Sequence, residues 1–256
     1  MVAKASIDTI FIHSNSMNKE VKTVVITPAS YKKKKNRYPV VYLLHGAFGN
    51  STNWANKVPE LQSMVDEHQM IIVCPDGSVN SWYFDSPIDS SYRFETHVSI
   101  EVPNYIDANY RTIPDKKHRA IAGLSMGGHG AMFIAFRHTE TFGACGSMSG
   151  ALDVSLIKRG YDINKRLGDT ITNLKYYNDW SVMKVMESYK PKDSLAIIMD
   201  CGLQDFIYFM SKAAHEKLVK LGIAHDYIER PGKHDWPYWS NAVRYQLVFF
   251  RTFFSK

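Results

Sequence analysis

Gly123-Leu124-Ser125-Met126-Gly127 fits the pattern Gly-x-Ser-x-Gly, with a strand-like segment before it and a helical one opening at Met126. Glycines on both sides of a serine relieve crowding at a sharp strand-to-helix turn, which lets the hydroxyl project above the sheet edge. The helix N-terminus beneath it adds backbone N–H donors and the positive end of a dipole. The chemistry this suggests is acyl transfer through a serine nucleophile. A serine hydroxyl is weak at neutral pH, so a histidine base and an orienting carboxylate must follow, in the chain order Ser, Asp or Glu, His.

Five histidines lie downstream of Ser125: His129, His138, His215, His225 and His234. The first two fall on or at the end of the helix after the serine, His215 falls mid-helix, and His225 falls in the last strand. His234 alone sits in a loop between the last strand and the last helix, Arg230-Pro231-Gly232-Lys233-His234-Asp235-Trp236. For the acid, Asp205 lies in the loop after a strand, whereas Asp200 ends that strand. Asp205 is favoured, with Asp200 as a structural or supporting carboxylate. Asp235 is a poor orienter because adjacent side chains diverge. For the oxyanion, the backbone N–H groups of Ala47, in Leu43-Leu44-His45-Gly46-Ala47-Phe48-Gly49, and of Met126 are the candidate donors. His45 reads as a brace within its loop rather than a second base.

The elements that must carry these residues follow from periodicity. Strands are expected at Ile7–His13, Val21–Thr27, Pro39–Leu44, Met70–Cys74, His118–Leu124, Gly143–Ser147, Leu195–Asp200 and Ala224–Glu229. Helical patterns occupy Val58–Glu67, Ile100–Tyr110, Met126–Arg137, Ile207–Leu221 and Tyr238–Phe254. The first two strands read as antiparallel edge strands and the third as buried. The alternation implies an α/β fold, a mostly parallel twisted sheet with helices on both faces. The stretch from Ala151 to Lys192 breaks the rhythm, with one helix expected around Ser181–Glu187, and reads as a cap or pocket wall within a single domain.

Composition narrows the function classes. The 256 residues carry 31 Lys+Arg against 25 Asp+Glu, with 45% apolar residues, the profile of an ordinary globular chain. The longest apolar runs fall far short of the roughly 20 residues that span a bilayer, so no membrane association is expected. Nucleic-acid binding is not expected either, since the positives are scattered apart from Lys32–Lys35, which reads as a solvated hairpin loop. Cys74, Cys145 and Cys201 lack disulfide or metal spacing and read as buried free thiols. No dinucleotide fingerprint or metal-ligand cluster occurs, so no cofactor or metal is expected. No apolar leader precedes Ser6, although Ala3-Lys4-Ala5 has the form of a signal cleavage site. A secreted or periplasmic location follows if a leader was trimmed, and a cytoplasmic one otherwise.

Taken together the residues resemble the esterase D-like α/β-hydrolases, which include carbohydrate esterase family 1 feruloyl and acetylxylan esterases, tributyrin esterases and S-formylglutathione hydrolases. The matching motifs are Leu43-Leu44-His45-Gly46 with Trp54, Asn80-Ser81-Trp82-Tyr83, Gly123-Leu124-Ser125-Met126-Gly127-Gly128, Ser149-Gly150, Cys201-Gly202 with Asp205-Phe206, and His234 with Trp236 and Trp239. The resemblance implies the α/β-hydrolase fold, Ser125 as nucleophile, His234 as base, Asp205 as acid, and donors at Ala47 and Met126. His45-Gly46-Ala47 departs from the Ser-Gly-Leu type segment usual in S-formylglutathione hydrolases, which argues against a glutathione thioester. The expected substrate is a small-molecule or polysaccharide-linked ester. Release of feruloyl groups from plant xylan is the first expectation. Acetylxylan or general short-chain esterase activity is the alternative, and acyl transfer to an alcohol or a non-catalytic module are further ones. Trp82, Trp236, Tyr238 and Trp239 are candidate stacking rings, with Trp82 and Trp236 singled out for substrate; packing beneath the loop is an equal reading for Trp82 and the favoured one for Trp236, Tyr238 and Trp239, which lead into the last helix. The number of subunits is left open.

Overall fold

The computed structural model describes residues 4–32, 35–157, 160–190 and 195–256. Ala3 of the cleavage-site motif, the middle of the basic run at 33–34, and positions 158–159 and 191–192 of the insertion lie outside the described residues.

Eight strands form one sheet: β1 (Ser6–Ser14), β2 (Lys19–Thr27), β3 (Val40–Leu44), β4 (Ile71–Pro75), β5 (Arg119–Leu124), β6 (Ala144–Met148), β7 (Ala196–Gly202) and β8 (Asp226–Arg230). Their order is β1-β2-β4-β3-β5-β6-β7-β8. Pairing is antiparallel for β1–β2 and β2–β4 and parallel from β4 through β8. This is the α/β architecture expected from the alternation of strand and helix patterns. One expectation is corrected: β2 is not an edge strand but lies between β1 and β4. Its last five residues are all buried, so the run Val24–Thr27 is an interior signal that the preceding charged residues obscured.

The helices are α1 (Asn53–Lys57), α2 (Leu61–His68), α3 (Phe94–Thr96), α4 (Val102–Asn109), α5 (Met126–Arg137), α6 (Ile163–Leu167), α7 (Leu174–Asp179), α8 (Val182–Val185), α9 (Tyr208–Lys220) and α10 (Trp236–Phe254). The helix expected at Val58–Glu67 is there as α2, which starts at Leu61; Val58 itself caps the separate helix α1, its N–H bonded to the Trp54 carbonyl. Strand β3 shows why the sheet needs helices on both sides. Val40, Tyr42 and Leu44 enter one hydrophobic core with Phe133 of α5 and Ile106 of α4, and Val41 and Leu43 enter the other with Val65 of α2 and Leu247 of α10. A continuous apolar strand buried on both faces is the signature of a parallel sheet covered twice. Among the described residues no helix is long and apolar enough to cross a membrane, and the three cysteines are free and buried.

The insertion after β6 is built from short pieces. Helices α6, α7 and α8 and 3₁₀ turns carry buried anchors such as Ile163, Tyr177 and Met186 into the core on the α5 side. The helix expected around Ser181–Glu187 is there as α8 followed by a 3₁₀ turn at Met186–Ser188.

Candidate active site

Ser125 sits at the junction of β5 and α5 with φ 53° and ψ −119°, a conformation costly for a residue with a side chain. Three features hold it there. The Ser125 N–H donates to the Met148 carbonyl at 3.0 Å, and its own carbonyl accepts from the N–H groups of His129 and Ala151. The turn also has no room for side chains beside the serine. A Cβ on Gly123 would stand 2.4 Å from the Gly127 carbonyl oxygen, and one on Gly127 would stand 2.5 Å from the His45 carbonyl oxygen. The glycines of the motif are therefore required by backbone packing, both against the other end of the turn and against the loop after β3.

His234 bridges serine and acid. Its Nε2 lies 2.9 Å from the Ser125 Oγ, and its Nδ1 lies 2.8 Å and 3.0 Å from the two carboxylate oxygens of Asp205. A carboxylate only accepts, so Nδ1 carries the proton and Nε2 is left to accept from the serine hydroxyl. The loops bearing the two partners are stitched together: the Leu203 N–H donates to the Arg230 carbonyl and the Gln204 N–H to the Gly232 carbonyl, and the Gly232 N–H donates back to the Gln204 side chain. Asp205 is buried. Burial alone would raise its carboxyl pKa, but the hydrogen bond from His234, the Ile207 N–H and the charge on His234 outweigh it and hold the group below its ordinary value. Asp235 accepts from the Tyr238 N–H and so caps α10, which fixes the chain direction just beyond the histidine.

The other candidates are placed elsewhere. Asp200 is buried within β7, which runs two residues further than the sequence pattern indicated, and its carboxylate is held by Arg230 and the Tyr238 hydroxyl. His45 is buried with both ring nitrogens engaged: Nε2 accepts from the Gly77 N–H at 2.8 Å, so Nδ1 donates to the Gly46 carbonyl at 2.8 Å. It braces the loop, and it has no nitrogen to spare. His225 precedes β8 rather than lying within it, and its Nε2 meets His215 Nδ1 at 2.8 Å. Ala47 and Met126 both line the cavity above Ser125, and Met126 is the first residue of α5, where helix N–H groups lack intrahelical partners.

That cavity has a volume of roughly 480 Å³ and a mostly apolar lining. Trp236 lines it and stacks edge-on with Trp54 and Trp239. Trp82 reaches it with little exposed surface, its indole N–H donating to the Tyr161 carbonyl at 3.0 Å and its ring set edge-on to His129. Three rings were not singled out by sequence as parts of the cavity wall. Phe206 packs over the imidazole of His234 with ring centroids 4.7 Å apart. Phe48 and Tyr161 touch as a tilted pair, with ring centroids 5.9 Å apart and planes at 44°, both well exposed. Phe206 follows the acid directly, a position that pointed to it. Tyr161 stands in an aperiodic insertion, where no pattern marks one aromatic above another.

Among the described residues no group of three or more His, Cys, Asp or Glu side chains is arranged to hold a metal ion. Geometry of this kind serves nucleophilic acyl chemistry. Comparison with known proteins bears on the class: a family model described as "Putative esterase" matches residues 14–249, nearly the whole chain. The chain belongs to this esterase family. A ferulic acid esterase of known structure is similar to this chain at a TM-score of 0.84 and 29% identity, over 98% of each chain. An acetyl esterase from Caldicellulosiruptor saccharolyticus is 27% identical over 258 residues, 91% of this chain and 94% of that protein. An endo-1,4-beta-xylanase/feruloyl esterase from Xylanibacter ruminicola is 33% identical over 156 residues, 57% of this chain and 22% of that longer protein. The chain spans about half the length, 51%, of two further curated relatives, both esterases of Mycobacterium tuberculosis. The chain is thus an α/β-hydrolase of the esterase D-like group, as its motifs implied.

Proposed function

We propose that the esterase hydrolyses carboxylic esters through Ser125, His234 and Asp205, and that its substrate is a feruloyl ester of plant cell-wall xylan. The observation that carries the reading is the single imidazole within hydrogen-bond reach of both a strained serine and a buried carboxylate. Ser125 Oγ attacks the ester carbonyl while His234 Nε2 takes its proton. The tetrahedral oxyanion is held by the backbone N–H groups of Ala47 and Met126. His234 then returns the proton to the departing alcohol, and a water activated by the same imidazole releases the acid. Asp205 keeps the imidazole in the required tautomer and balances its charge when protonated.

Support for the aromatic acyl group comes from the cavity, whose volume and aromatic walls suit a flat ring, and from the similarity to proteins named as feruloyl and ferulic acid esterases. A second reading, hydrolysis of acetyl or other short-chain esters, is favoured by the acetyl esterase relative that aligns over nearly its full length. Initial rates on methyl ferulate, acetylated xylan and p-nitrophenyl esters from acetate to octanoate separate the two. The expected result is a kcat/KM for ferulate well above that for acetyl groups, with Ser125→Ala lowering both by about 10⁴-fold or more while Tm holds. Substantial ester hydrolysis by purified Ser125→Ala overturns the serine assignment, and acetyl preference without ferulate release overturns the substrate.

A further inference from the structure

Ten described non-glycine residues have positive φ, and four of them, Phe48, Trp82, Ser125 and Tyr161, line the one cavity above the serine. Strained backbone that gathers around a cavity is held by its surroundings for a purpose, and at three of these positions the purpose is not nucleophilic. The fasteners all converge on the segment after β4. The Phe48 N–H donates to the Val79 carbonyl at 2.8 Å, and the Trp82 indole N–H donates to the Tyr161 carbonyl at 3.0 Å. One residue further, the Asn80 amide reaches the Asp162 carboxylate at 3.4 Å. The segment is itself anchored from below, by the Gly77 N–H to His45 and by the Tyr83 hydroxyl to the His45 carbonyl. Tyr83 fills its space completely, since a Cβ on Gly77 or Gly130 would stand 2.4 to 2.5 Å from its ring. A rigid segment thus grips two exposed rings, one from the loop after β3 and one from the insertion, and sets the 5.9 Å between them.

The side of the cavity they occupy follows from the proton. The leaving oxygen must lie within hydrogen-bond reach of His234 Nε2, and the rings packed on that imidazole are Phe206 and Trp239. An alcohol that leaves on the imidazole side, beside Phe206, leaves the walls formed by the loop after β3 and the insertion, with Phe48 and Tyr161, to the acyl group.

Resting on the serine-hydrolase reading above, we infer that Phe48 and Tyr161 form the acyl-selecting gate of the esterase and that Trp82 is a positioning residue, acting through its N–H on the Tyr161 carbonyl rather than by stacking on substrate. The gate discriminates in favour of flat, conjugated acyl groups, which are long enough to pack against the cavity side of this ring pair, over acetyl, which touches neither.

The test compares wild type with Tyr161→Ala, Tyr161→Phe and Trp82→Phe on p-nitrophenyl esters of acetate, octanoate and cinnamate, so that only the acyl group varies. Labelling of Ser125 by a small fluorophosphonate, located by peptide mass, is run in parallel. Tyr161→Ala is expected to cut the cinnamate-to-acetate ratio of kcat/KM by about tenfold, mostly through KM, and Tyr161→Phe to restore it because the ring remains. Trp82→Phe keeps a ring but loses the N–H, and the ratio should fall by about threefold to tenfold. Equal losses on all three esters, or an unchanged ratio in Tyr161→Ala, overturn the gate while leaving the serine hydrolase intact. Absence of label on Ser125 in the wild type instead overturns the underlying reading, and the inference with it.

Discussion

The loops that hold Asp205 and His234 and the segments that form the cavity mouth rise from the same edge of the sheet, yet they are secured by different means. Between the loops of Asp205 and His234 the fastening is mainly backbone to backbone, two hydrogen bonds across adjacent strand ends with a third from the Gly232 N–H to the Gln204 side chain. At Gly202 a Cβ would stand 2.4 Å from the Gly232 carbonyl oxygen, so the two chains touch without a side chain between them. The mouth has one backbone bond, from the Phe48 N–H to the Val79 carbonyl, and on the side of the insertion it is joined by side chains that cross long sequence separations, Trp82 to Tyr161 and Asn80 to Asp162. Backbone fastening ties geometry to the fold itself, and nearly any side chain elsewhere leaves it alone. Side-chain fastening can be altered one residue at a time. On the proposed reading, the difference teaches where each property would reside: chemistry in a part that changes only with the fold, selectivity in a part that single substitutions can tune.

The contrast breaks first at the acid. Asp205→Asn preserves shape but cannot fix the imidazole tautomer, and kcat should fall by about 10³- to 10⁴-fold on acetate and ferulate esters alike. A loss confined to one ester would place Asp205 in selectivity and dissolve the distinction. The same variant has a second signature. The native Asp205 pKa is held below its unfolded value, so the stability it contributes is present above the ordinary carboxylate pKa of about 4 and is lost as pH falls through the native one. Thermal scans from pH 7 to 2 should therefore show a shallower acid limb in Asp205→Asn than in wild type.

A smaller effect sharpens the boundary between the two regions, because His45 touches both. Its ring accepts from Gly77 at the root of the mouth segment and donates to Gly46 beside the serine turn. His45→Ala leaves the buried Gly77 N–H without its partner, while the Gly46 carbonyl keeps the Gly49 N–H, at a cost of about 1–3 kcal/mol in stability by chemical denaturation. The expected kinetic mark is lost discrimination between acyl groups at a far smaller loss of kcat than Asp205→Asn gives. A kcat loss as large as that of Asp205→Asn, with stability unmoved, would make His45 part of the proton path.

Much of this was legible in the residues. All eight strands and the five long helices announced themselves because a doubly covered parallel sheet demands continuous apolar runs, and the serine turn because only glycine fits around it. The proposed base and acid were reached by elimination, since chain order and loop position leave few choices. What could not be read was set by tertiary contact. Trp82 offered an aromatic ring with an N–H handle, and nothing local says that the handle would be spent on Tyr161, 79 positions away. Helix α1 and the interior place of β2 were missed because polar neighbours interrupt their apolar faces, and the insertion carries no period at all.

The order of strands has a consequence for how the esterase fails. His234 is carried by the loop after β8, the outermost strand, five residues long and without a fully buried side chain, whereas Ser125 is carried by β5 in the wholly buried middle. Strands at a margin open at lower free energy than those at a centre, so the base is expected to come adrift in partly opened molecules that still keep their core. Activity in a urea titration should then vanish before tryptophan fluorescence reports unfolding, and Tyr227 and Glu229 amides should exchange with solvent ahead of those of Ile121 and Ala122. Coincident transitions and equal protection would mean instead that α10, packed across the sheet behind the histidine, binds margin and middle into one cooperative unit.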